Sequence, residues 1–142
     1  MPTGRHTTGR AGVVPGSVKA AAALFVVYGA SAFLNAAVIL RSAGWTSPPG
    51  LIRALVHLVG AGLIAWGLLR GARWAWVLGL VLGIFWLATG AVTMLVVQSG
   101  DLYWLPPSGF QLLVAASLVC LGVAVALLLT PAARTAFRRA AV

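Results

Sequence analysis

Acidic residues are almost missing from this sequence. Across 142 residues there is one, Asp101, against nine arginines and one lysine, so the formal net charge is +9. Cysteine is equally scarce. Cys120 stands alone in an apolar run, which excludes an intrachain disulfide and leaves no basis for naming a redox compartment. One Cys, two His and one Asp supply no recognisable ligand motif, so no metal and no cofactor are expected. Only 8% of residues are charged, against about 25% in a soluble domain, which excludes an ordinary water-soluble globule.

What remains is apolar. Hydrophobic residues make up 61% of the chain, and the mean hydropathy is +1.03. A helix needs about 20 apolar residues to span the hydrocarbon core of a bilayer. Four such stretches stand out: 18–40, 51–69, 74–97 and 109–129. Together they form the transmembrane domain, 18–129, leaving residues 1–17 as a disordered basic tail and 130–142 as a second basic tail. The expected fold is all-α, an integral membrane four-helix bundle running up-down-up-down. A cleaved signal peptide is the rival reading of the first stretch, because Ala30-Ser31-Ala32 mimics a processing site. The apolar run continues past that point to Leu40, a full spanning length.

The basic residues set the orientation. Arg5, Arg10 and Lys19 precede the first span, Arg70 and Arg73 sit between the second and third, and Arg134, Arg138 and Arg139 follow the fourth. These eight face one side, and only Arg41 and Arg53 face the other, which puts both termini in the cytoplasm of a cell whose inner (plasma) membrane holds the protein. The same distribution explains the high charge without nucleic acid, and it makes anionic lipids at the cytoplasmic face the expected partners.

The two loops on the other side match each other. Trp45-x-x-Pro48-x-Gly50 and Trp104-x-x-Pro107-x-Gly109 align without gaps at an offset of 59 residues, as two duplicated helical hairpins would. Convergence is the competing explanation, because Trp favours the membrane interface and Pro-Gly favours turns. Trp74, Trp76 and Tyr103 are read as interfacial anchors too, while the deeper Trp66 and Trp86 are expected to fill space between helices.

One contact motif is apparent. Ala75, Gly79 and Gly83 repeat every four residues, with Gly90 further along, forming a small-residue stripe where a second backbone could approach closely. It suits packing within the bundle, or assembly with a second copy or a membrane-protein partner.

Polar residues inside spans point to function, since each needs a partner in a medium that offers few. Asn35, Arg53, His57 and Gln111 all fall in the outer half of the bilayer, which suggests a ligand-binding pocket open to the outer leaflet. Arg53 and His57 are four residues apart and so share a helix face. His57 is the one candidate catalytic group, and a structural alternative bonds it to Asn35 or Thr93. One histidine, one loop aspartate and a few hydroxyls are thin equipment for an enzyme. The run GLLRGARWAW at 67–76, followed by an Ala-, Val-, Leu- and Gly-rich span, resembles the middle of uncharacterised small four-span membrane proteins of actinobacterial type, over residues 58–90. That resemblance implies a fold and no activity. The leading functional expectation is a non-catalytic membrane component. Lipid or small-molecule binding, lipid modification, and a transporter or channel subunit are the alternatives.

Overall fold

The computed structural model describes residues 14–42, 48–98 and 109–139, with side chains described over 14–38, 52–96 and 112–138. Every described element is helical. They run in the order α1 (Gly16–Ser42), α2 (Pro48–Leu69), α3 (Arg73–Gln98), α4 (Gly109–Leu128) and α5 (Pro131–Arg139). The first three are each long and apolar enough to cross a membrane, and α4 with α5 makes a fourth such unit, bent by 57°. That is the build of a membrane protein.

The boundaries follow from local chemistry. Pro15 precedes α1 and offers its carbonyl to the amides of Val18 and Lys19, at 3.0 and 3.2 Å. α2 opens on Pro48 and Pro49, whose missing amides cost nothing in a first helical turn. Its far end closes on Gly71, which adopts a left-handed φ of 71°. The Gly71 amide donates to Leu68 O at 3.0 Å and the Ala72 amide to Gly67 O at 2.9 Å, so the last carbonyls of α2 are satisfied by the turn itself.

The stretch read as a second basic tail, 130–142, contains the short helix α5. Thr130 caps it: its Oγ1 accepts from the Ala133 amide at 3.4 Å and donates to Leu127 O at 2.7 Å. Pro131 takes the first helical position, where it can start a helix and cannot continue the preceding one. The break strands a carbonyl, Leu128 O, and Trp76 Nε1 donates to it at 3.0 Å, tying α3 to the bend.

α1 packs most closely against α2 and α4, and α3 touches the same two helices without approaching the α1 backbone. Val18, Ala21, Ala22, Phe25 and Tyr28 form the buried stripe of α1 at helical spacing. Small residues allow the close approach. A methyl group on Gly29 would stand 2.8 Å from the Ala61 Cβ and 3.3 Å from the Leu58 backbone. On the opposite flank Leu121, Ala124, Val125 and Leu128 of α4 are buried. The buried ring of Phe25 points at α3, where a methyl group on Gly79 or Gly83 would meet it at 3.7 or 3.5 Å.

Candidate functional site

The polar residues expected to share a pocket sort themselves by helix. His57 Nδ1 lies 2.7 Å from Arg53 O. A carbonyl only accepts, so Nδ1 is the donor in this bond. The His57 ring stacks on Trp86 of α3, with centroids 5.0 Å apart and planes at 28°. Tyr28 of α1 stacks on Trp86 with centroids 5.4 Å apart and is tilted against His57 at 6.2 Å. Gly60, one turn along from His57, gives Trp86 room: a methyl group there would stand 3.4 Å from the indole. Three helices thus meet through three rings. Sequence reasoning missed this trio, because nothing in the one-dimensional pattern says which faces of α1, α2 and α3 meet.

The hydroxyls of Ser31, Thr89, Thr93 and Ser117 are bonded within their own helices. Thr93 donates to Thr89 O at 2.8 Å, Thr89 to Phe85 O at 3.0 Å, Ser31 to Tyr28 O at 2.8 Å and Ser117 to Val114 O at 2.8 Å. His57 is therefore bonded neither to Thr93 nor to Asn35. Asn35 is 9% exposed, and its Oδ1 is buried without a hydrogen-bond partner. Arg53 is exposed. Among the described residues no hydrogen bond joins Asn35 to Arg53 or His57. The side chain of Gln111, the two Trp-containing loops and Asp101 lie outside the described residues.

The small-residue stripe faces its own chain. Ala75 is fully buried. A methyl group on Gly79 would meet Leu128 at 3.1 Å and Ile64 at 3.2 Å, and one on Gly83 would meet Val125 at 2.6 Å. Gly90 receives Leu118 in the same way. α3 is thus held against α2 and α4 by side chains seated on bare backbone. The deep tryptophans differ in their placement. Trp86 is buried as expected, but Trp66 is half exposed, with the Arg70 guanidinium 3.9 Å above its ring.

A second cluster lies where α3 begins and α5 crosses. Arg73, Trp76, Leu129, Arg134, Phe137 and Arg138 line a recess of about 290 Å³. Phe137 is buried and stacks on Trp76, 6.1 Å apart with planes at 26°. The three arginines are exposed around this aromatic floor. In the sequence they count only as orienting charges. The spacing Arg134-x-x-Phe137-Arg138 behind a Thr-Pro cap was the available signal.

No protein-family model matches this chain, and no curated protein and no solved structure matches it. The fold and its sites define a class: an all-helical protein with three to four apolar helices of membrane-spanning length, an interior aromatic trio and a basic, aromatic-floored recess.

Proposed function

We propose that this is a non-catalytic component of the inner (plasma) membrane, an up-down-up-down four-helix bundle with both termini cytoplasmic, which works by packing against a second copy or another membrane protein. The short turn between α2 and α3, residues 70–72, supports antiparallel neighbours. The eight-to-two distribution of basic residues supports the orientation. The non-catalytic reading rests on one observation: the hydroxyls of Ser31, Thr89, Thr93 and Ser117 donate to carbonyls of their own helices, and the His57 Nδ1 proton is committed in the same way. Because the glycine stripe is filled from within, association would use the outward faces of the helices.

A second reading, an outer-leaflet site for a lipid or hydrophobic small molecule at Asn35, Arg53, His57 and Gln111, is favoured by the unpartnered Asn35 oxygen. Leaving such an oxygen buried costs about 1–3 kcal/mol, which a bound donor would recover. Native mass spectrometry in mild detergent separates the two. A defined oligomer, unchanged when Arg53 and His57 are replaced, is the expected result. A monomer that retains one ligand and loses it in that double variant would replace the packing role with the outer-leaflet site.

A further inference from the structure

The recess between α3 and α5 carries chemistry that a packing role does not use. Arg134 and Arg138 are one helical turn apart and share a face, and the first residue of α3 brings Arg73 to the same recess. The chain has little with which to neutralise them. It holds one acidic side chain, Asp101. Asp101 follows the far end of α3, whose 26 residues rise about 38 Å from Arg73. Three guanidinium groups around one small recess repel each other, and an anion seated among them relieves that repulsion.

The shape and floor of the recess narrow the anion. Guanidinium forks match the oxygens of a phosphate and can hold it through paired hydrogen bonds. Trp76, Leu129 and Phe137 give the recess an apolar side, and an indole next to a cation is well suited to the boundary between headgroups and acyl chains. A volume of about 290 Å³ suits a phosphate with its ester carbons and leaves no room for the acyl chains. Those chains have somewhere to go, because the outward faces of the helices beside it are apolar: Trp74, Val77 and Val81 of α3 are all substantially exposed. A phosphomonoester carries up to two negative charges, which suits three arginines better than the single charge of a diester.

We propose that this recess binds the phosphate of one phospholipid headgroup, with phosphomonoester lipids preferred over phosphodiester ones. The site depends on the proposed orientation only for which leaflet supplies the lipid. The shared chemistry is phosphate, and a soluble phosphate is the other source to be tested.

The experiment is native mass spectrometry of the full chain in mild detergent, titrated separately with phosphatidic acid, phosphatidylglycerol, phosphatidylcholine and inorganic phosphate. One phosphatidic acid per chain should be retained, more strongly than phosphatidylglycerol, with phosphatidylcholine weakest. Arg134→Gln combined with Arg138→Gln should weaken retention by about tenfold or more, and the Lys replacements at both positions by less, because charge remains while the paired bonds are lost. Arg70→Gln removes a charge outside the recess and should leave retention unchanged. Helical circular dichroism of each variant establishes that it is folded. Should the two Gln replacements disrupt folding, Arg73→Gln alone provides the same comparison. Equal loss in Arg70→Gln, or several lipids bound with no headgroup preference, would overturn the site in favour of diffuse surface charge. Inorganic phosphate retained as well as phosphatidic acid would overturn the lipid assignment. Failure of the oligomer test above would leave this result untouched.

Discussion

Glycines that look alike in the sequence differ sharply in what surrounds them. Gly29 faces Ala61 at a distance that excludes a methyl group, whereas Gly62 has open space around it. Gly29→Ala should therefore force α1 and α2 apart and cost about 1–3 kcal/mol, as overpacking does. Gly62→Ala should be neutral or stabilise by up to about 1 kcal/mol, the ordinary helix-propensity gain. Thermal unfolding of both variants in the same detergent checks the pair. Equal melting temperatures would mean that α1 and α2 do not meet at Gly29. Residue-scale details were only partly legible beforehand. Trp66 and Trp86 are both tryptophans deep in apolar runs, yet one is buried and the other half exposed beneath Arg70. In a membrane-type helix both faces are apolar, so hydrophobic periodicity gives no reliable inside and outside. The same blindness hid the Tyr28, His57 and Trp86 trio.

At the scale of elements, the long apolar helices were readable because length and composition alone identify them. α5 was not, because nine residues with three arginines read as a charged tail. Its cap was the overlooked evidence: Thr130 and Pro131 form a helix start, and Ala133 and Phe137, four residues apart, are both buried. The bend matters because it carries Arg134 and Arg138 to the start of α3. Thr130→Val keeps the shape and removes both hydroxyl bonds, so it should destabilise the bend by about 1 kcal/mol, the usual value of an N-cap. Faster amide exchange in α5 than in α4 of that variant would be the readout. Unchanged exchange would mean that the stacking of Phe137 on Trp76 holds α5 without the cap.

For the whole molecule, the candidate sites are separated along the bundle. Tyr28, His57 and Trp86 lie near the middle of α1, α2 and α3, and Asn35 lies two turns beyond Tyr28, while the basic recess lies at the start of α3 and the end of α4. Which leaflet the recess faces in a membrane depends on the number of crossings and the direction of the first. The central claim is therefore topological, and cysteine labelling in intact cells tests it most directly. With Cys120→Ala as background, Thr46→Cys and Ser99→Cys should react with a membrane-impermeant maleimide added outside, and Ala72→Cys should react only after the membrane is opened. Labelling of Thr46→Cys and Ala72→Cys from the same side would contradict the four-crossing arrangement with cytoplasmic basic ends.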